Sequence, residues 1–363
     1  VYYLVYLTER CNLACSYCEN PAIKAARLQE ASYSLAALTH FLNQDPDLRL
    51  WLFGGEPLLR IDLITELLQC TRPKHVLLQT NGLLLDRIPE STLHGIDAVA
   101  ISLDGPPEVT DRYRGAGTYS KAIAQAQALR ARGYRGRVDA RLTINPGMSI
   151  ARSVQHFLHD AEFHFDAIHW QLNALFHAEP WGQAKKSIRR WFQEVYNPEI
   201  RALVQQWASS VVTTRKVRQI VPFARLMHSL LTHETVSQVR CGAGSQMWAI
   251  ATDGAVYPCP ALRIDPHYKV GDLQALTPAQ LGRHDTLREP CKSCDVVGLC
   301  GGRCLYANRR NEWDAEGFAL VCDSVKALLA ALREVESAVR DTVTRGQVPL
   351  EAFAEVADYE VIP

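Results

Sequence analysis

The residues whose types and spacing point to chemistry are cysteines, 11 in all. Cys11, Cys15 and Cys18 form C-x3-C-x2-C. Three thiolates at this spacing can hold three irons of a 4Fe–4S cube, whereas an all-protein cluster takes four. The fourth iron is left open, and an open Lewis-acidic iron can chelate the amine and carboxylate of a small amino acid. Zinc is the competing reading, but the nearest fourth ligand in sequence, His40, lies in a helical pattern well downstream. A second group comprises Cys241, Cys259, Cys291, Cys294, Cys300, Cys304 and Cys322. Within it, Cys291-x2-Cys294 with Cys300 and Cys304 suits either iron–sulfur or a zinc ribbon. Zinc cannot change oxidation state, so a redox role for the first trio favours iron in both groups. Cys70 stands alone near the end of an expected helix, where a buried structural thiol is the ordinary reading.

The elements that must position these thiols alternate in type. VYYLVYL precedes LAALTHFL; LRLWLFG precedes IDLITELLQC; HVLLQT precedes a short helix; AVAISLDG precedes YSKAIAQAQALRARG. VDARLTI, SVQHFLHDA and AIHWQLN continue the series, giving about six β/α units. Such alternation implies a parallel sheet with helices outside it. Six units are too few for a closed eight-unit barrel. A partial barrel or an open doubly wound sheet remains, and both place ligands at strand C-terminal ends.

Residues 1–180 are therefore read as the barrel. Residues 181–240 are a helical, Trp-rich bridge interrupted at Pro198 and Pro222, 241–323 a small metal-organised domain, and 324–363 a helix and tail. Lys and Arg number 39 against 39 Asp and Glu, and the pI is near 7.3, so nothing in the charge favours nucleic acid or an anionic membrane as target. No apolar run approaches the length of a spanning helix, and the first residues do not read as a signal peptide. A cytoplasmic protein is expected.

The trio, with aromatic Tyr17 before its last Cys, resembles the signature of the radical S-adenosylmethionine (radical SAM) superfamily. Further matches follow in order. Gly54-Gly55-Glu56-Pro57 after the second strand resembles the family segment whose backbone and Glu meet the methionine amine. Thr80-Asn81-Gly82 ends the third strand. Ser102-Leu103-Asp104-Gly105, with Asp111 and Arg114, resembles the stretch that contacts ribose and methionine carboxylate. The resemblance implies an α/β fold, a partial (β/α)6 barrel of the radical SAM type. Bound S-adenosylmethionine would be touched by Tyr17, Gly54, Gly55, Glu56, Pro57, Asn81, Ser102, Asp104 and Arg114.

The second cysteine group resembles the SPASM domain, a C-terminal extension with two auxiliary 4Fe–4S clusters. By that resemblance Cys241, Cys259 and Cys304 serve the first, and Cys291, Cys294, Cys300 and Cys322 the second. Seven cysteines cannot fill eight positions. A fourth ligand for the first cluster is sought among His228, His233, Glu234, a substrate side chain or an open iron. In all, three 4Fe–4S clusters are expected.

The same likeness implies an oxidoreductase that forms a 5′-deoxyadenosyl radical and abstracts hydrogen from a peptide or protein side chain, with a thioether or carbon–carbon cross-link as the favoured outcome. Relatives that mature sulfatases carry Asp where this chain has Pro260, which argues against formylglycine formation. His169, Trp170, His177, Trp181 and Trp191 are candidates for a peptide groove or, more ordinarily, for bridge packing. Expected partners are a one-electron donor such as flavodoxin or ferredoxin and, because the chain starts at the first strand, a separate leader-binding protein. A small-molecule substrate from cofactor biosynthesis and a non-catalytic electron carrier are the alternatives.

Overall fold

The computed structural model describes residues 1–18, 29–173, 178–284, 286–310, 314–356 and 359–363, without the side chains of 178–183. In chain order the main elements begin with β1 (Tyr2–Tyr6), α1 (Leu35–Leu42), β2 (Arg49–Phe53), α2 (Ile61–Cys70), β3 (His75–Thr80), β4 (Ala98–Ser102), α3 (Pro107–Arg114), α4 (Thr118–Ala131) and β5 (Arg137–Ile144). Next come α5 (Ile150–Gln155), β6 (Ala167–Leu172), α6 (Ala178–Trp191), α7 (Asn197–Thr214), β7 (Gln219–Ile220) and α8 (Val221–Thr232). The path ends with β8 (Met247–Ile250), β9 (Ala255–Tyr257), β10 (Gly271–Asp272) and α9 (Ala315–Thr344). Each expected β/α unit is present.

The chain forms two compact units. The first comprises Val1–Ala140 and Gly242–Thr286, the second Arg141–Cys241 and Leu287–Pro363. In the first, β1 to β4 are successive parallel neighbours, Tyr6 lying opposite Phe53 and Leu77 opposite Ala98. Most of their side chains are buried, as the continuous apolar runs require of strands covered on both faces. Leu38, Phe41 and Leu42 of α1, and Leu63, Ile64 and Leu67 of α2, present buried faces at three-to-four-residue spacing.

The expected metal-organised segment 241–323 is divided in space. Its β-like pieces are not a separate fold: β8 pairs in parallel with the free side of β1, Val5 opposite Ile250, and β9 and β10 extend the sheet antiparallel. All four β8 residues are buried, so this strand covers an edge that β1 would otherwise leave open. The Asp253-Gly254 turn joins β8 to β9 with Gly254 at φ 83°.

In the second unit α7 and α9 pack along each other, burying Ile200, Leu203, Val204, Trp207 and Val211 on one side and Leu320, Val321, Val325, Leu328 and Leu332 on the other. The helix expected from residue 324 begins instead at Ala315, where Asp314 caps it by accepting from Gly317 N at 2.9 Å. Cys322 therefore sits within a helix, not before one. Pro198 does not break the bridge. The five residues Phe192–Tyr196 form a π-turn that leads straight into α7, with Pro198 in its first turn, where no backbone donor is needed. Pro222 likewise occupies the first turn of α8. Arg340 of α9 donates to the carbonyls of Leu230 and Leu231, satisfying the end of α8. No helix among the described residues is long and apolar enough to cross a membrane.

Candidate metal and cofactor site

Thr8–Cys18 leaves the C-terminal end of β1, and the loop after β2 reaches it directly. Gly55 N donates to Thr8 O at 2.9 Å and Glu56 N to Arg10 O at 2.8 Å. A Cβ on Gly54 would stand 2.4 Å from Thr8 O, and one on Gly55 2.3 Å from Arg10 O and 2.4 Å from Glu9 O. Both glycines are required because backbone meets backbone there. Thr8 completes the clamp, its hydroxyl accepting from Arg10 N at 3.1 Å and donating to Gln29 O at 2.8 Å.

Glu56 is fully buried. One carboxylate oxygen accepts from Thr80 Oγ1 at 2.8 Å and Leu58 N at 3.0 Å, the other from Asn81 N at 2.8 Å. It thus ties the ends of β2 and β3 together and caps the short turn that Pro57 opens. Burial pushes its carboxyl up to about 7, with those hydrogen bonds from Asn81, Thr80 and Leu58 pulling the other way. Asn81 Nδ2 donates to Asn12 Oδ1 at 2.7 Å and approaches Cys11 Sγ at 3.9 Å, and Leu13 N reaches the same sulfur at 3.4 Å.

From the end of β4, Asp104 is gripped by both faces of the expected constellation. Arg114 Nε and Nη2 donate to its two oxygens at 2.9 and 2.8 Å, a fork-on-carboxylate pair, and Tyr17 OH donates to the same carboxylate at 2.8 Å. The Arg114 guanidinium also lies 5.5 Å over the Tyr17 ring. Burial opposes the charge on Arg114, but Asp104 and Tyr17 hold it firmly protonated. Burial raises the Cys15 thiol, Arg114 opposes that rise, and Cys18 and Cys11 add to it. Three cysteines on one short loop are a donor set that a cationic metal centre would deprotonate. Ser102 ends β4, while Asp111 caps α4 by accepting from Gly117 N at 2.7 Å and Tyr119 N at 2.9 Å.

Sequence reasoning missed a buried ion pair beside this loop. Arg263 Nη1 donates to Glu9 Oε1 at 2.7 Å, and its guanidinium lies 3.9 Å above the Tyr6 ring. Glu9 adjoins the cysteine motif and so carried a positional signal, but Arg263, four residues beyond Cys259, carried none.

In the second unit Cys291, Cys294, Cys300 and Cys322 line one pocket, together with apolar Val296, Phe318 and Val325. Burial pushes the Cys300 thiol up to about 11 and that of Cys322 up to about 12. Four cysteines lining one pocket are a donor set whose chemistry fits a tetrathiolate iron–sulfur cluster. Cys304 lines the same pocket. Cys241 belongs to the second unit and Cys259 to the first.

The three candidate fourth ligands gather at the end of α8. Glu234 accepts from Ser229 Oγ at 3.1 Å and lies 3.8 Å from His228, while His233 is the exposed left-handed cap. Cys70 corrects the expectation of a buried thiol: it is the exposed last residue of α2, beyond that helix's apolar face. His169, Trp170 and Trp191 are buried, and the two indoles donate to Tyr196 OH and Met148 O. Bridge packing therefore explains both tryptophans. His177 and the Trp181 side chain lie outside the described residues.

Residues 5–157 match the radical SAM superfamily. The chain is 24% identical over 346 residues to the cysteine-type anaerobic sulfatase-maturating enzyme of Clostridium perfringens, covering 87% of this chain and 91% of that protein. It is 29% identical over 342 residues to the PqqA peptide cyclase of Ruegeria pomeroyi, covering 83% and 81%. Among solved structures, native anSMEcpe with bound AdoMet and Kp18Cys peptide superposes with a TM-score of 0.74 at 20% identity, over 94% of this chain and 99% of that one. The fold is that of these enzymes, a radical SAM partial barrel.

Proposed function

Starting from residues 5–157 as a domain of the radical SAM superfamily, we propose that the protein is a radical SAM oxidoreductase that oxidatively modifies a peptide or protein side chain. The observation that carries this reading is the cysteine loop after β1, clamped by Gly54, Gly55 and Glu56 at the C-terminal ends of parallel strands. Cys11, Cys15 and Cys18 would hold the first 4Fe–4S cluster and leave one iron for S-adenosylmethionine. When bound, this pair supplies a 5′-deoxyadenosyl radical able to take a hydrogen atom from substrate, and auxiliary clusters supply electron transfer.

The chain's own residues contribute orientation. Gly54 and Gly55 fix the loop backbone, Asn81 orients Asn12 beside Cys11, and Tyr17, Asp104 and Arg114 form a rigid polar wall for ribose and methionine carboxylate. Cys291, Cys294, Cys300 and Cys322 would hold the second auxiliary cluster. Cys241, Cys259 and Cys304 would hold the first, with His228, His233, Glu234, substrate or an open iron at its fourth position. Both relatives named above act on proteins or peptides by name, and this supports a peptide substrate over a small molecule. A thioether or carbon–carbon cross-link is the favoured product, with a flavodoxin- or ferredoxin-like electron donor, a separate leader-binding partner and a cytoplasmic setting.

The test is anaerobic reconstitution followed by dithionite and S-adenosylmethionine. Release of 5′-deoxyadenosine, lost in Cys15→Ala, is expected; its absence from iron-replete protein removes the radical reading. Co-expression with a peptide encoded beside the gene should then give a product lighter by two hydrogen atoms. An unchanged mass would leave cross-linking unsupported.

A further inference from the structure

The segment Tyr359–Pro363 lies in the second unit as a buried peptide held by side chains from separate elements. Tyr359, Val361 and Ile362 are each at most 5% exposed. His169 of β6 bonds through Nε2 to the backbone carbonyl of Glu360 at 2.7 Å. Arg141 of β5 donates through Nη2 to Glu360 Oε2 at 3.0 Å and meets His169 Nδ1 through Nη1 at 2.7 Å. Arg303, between Cys300 and Cys304, donates to the carbonyl of Pro363 at 2.9 Å. The Tyr359 ring stacks on His169 with centroids 4.9 Å apart, and the Arg141 guanidinium lies 5.3 Å over it.

The roles within this set are fixed by proton positions. Arg141 can only donate, so His169 Nδ1 accepts and Nε2 carries the hydrogen given to the Glu360 carbonyl. Burial, reinforced by the Arg141 charge, holds His169 down at about 3, so it stays neutral in that tautomer. Burial opposes ionisation of Glu360, yet the Arg141 charge beside it brings its carboxyl below the ordinary range.

Two features separate this arrangement from plain packing. The grip falls on main-chain carbonyls and one carboxylate, the groups by which a protein reads an extended peptide. An Arg–Glu pair drawn largely out of water, with Arg141 8% and Glu360 21% exposed, also gains little over apolar residues of the same size, so a segment kept only for stability has no need of it. Arg141, His169 and Gln171 lie at alternate positions opposite Leu142, Trp170 and Leu172, whose face is given to the core.

We propose that Arg141, His169 and Arg303 form a subsite for an extended peptide with an aromatic–acidic pair, and that residues 359–363 occupy it as an internal competitor. The proposal rests on the peptide-modifying reading above and names a feature of its substrate. The substrate side chains at this subsite are an aromatic ring for the His169–Arg141 face and a carboxylate for Arg141. Arrival of such a peptide displaces the segment.

The probe is the synthetic pentapeptide Tyr-Glu-Val-Ile-Pro, fluorescently labelled and added to the full-length protein. Glu360→Gln loosens the segment, so the variant should bind the probe at least about tenfold more tightly than the wild-type chain, the scale of one charged hydrogen-bonded contact. Changing the probe's Glu to Gln, or adding Arg141→Met to the variant, should each remove that gain. Equal binding by the single and double variants, or no binding to either protein, overturns the proposal. Should Glu360→Gln fail to fold, hydrogen exchange on the wild-type chain decides. Excess probe must accelerate exchange in residues 359–363, and unchanged exchange overturns the subsite. Release of 5′-deoxyadenosine by wild-type protein reports on the radical reading separately, because it requires no peptide.

Discussion

Glu56 concentrates the physical tension of the candidate cofactor site in one carboxyl. Its folded value of about 7 stands above the ordinary 4.5, so between these two values the folded state binds the proton that the unfolded chain has released. Stability therefore falls as pH rises through that window, by about 3 kcal/mol if the whole shift is expressed. Glu56→Gln does not titrate. The variant should be less stable than wild type near pH 5, where its amide NH2 faces the Asn81 N–H, and the gap should narrow by about pH 7.5. Thermal melts across that range check the sign. Gly55→Ala tests the backbone contact: the added methyl must push away the Glu9 and Arg10 carbonyls. It should cost about 1–3 kcal/mol by denaturant midpoint and weaken iron retention at the first trio. At this scale the thiols, Gly55 and Glu56 were legible from order along the chain. The use of Asp104 by both Tyr17 and Arg114, and the Glu9–Arg263 pair, were not, because each joins residues that no local period links.

Elements were the most legible level. Every β/α unit read from apolar periodicity is present, since a strand covered on both faces and a helix with one apolar stripe each leave a local signature. Misplacement came at ends and interruptions. The last helix starts at Ala315 because Asp314 caps it there, a signal weaker than the apolar run that follows. Removing the cap by Asp314→Ala should lower stability by about 1 kcal/mol in urea unfolding. Because Cys322 of this helix lines the cysteine pocket, frayed early turns should also make the cluster proposed there the more easily lost to a chelator.

At the scale of the whole chain, the cysteines divide by location. Cys322→Ser should remove about four irons, the content of one cluster, whereas Cys70→Ser should remove none. Iron analysis after anaerobic reconstitution measures both. A loss on changing Cys70 would make it a ligand despite its exposed place at the end of α2. The spatial division of the chain was opaque to the sequence. β8 reads as an isolated apolar tetrad, and only its parallel register with β1 places residues 242–286 with the N-terminal unit.

By itself, the amino-acid sequence pointed to the class of chemistry, that of the radical SAM superfamily, and to the residues proposed to carry it. Thiol spacing and strand-end placement are local properties, and the order of the motifs follows the order of the strands. Tertiary structure alone decided which partners those residues keep. Glu56 bridges two strand ends, Cys322 joins the cysteines of 291–304 at one pocket, and Tyr359–Pro363 lies against Arg141, His169 and Arg303. Such pairings are set by burial and hydrogen-bond satisfaction between segments far apart in the chain, which periodicity does not encode.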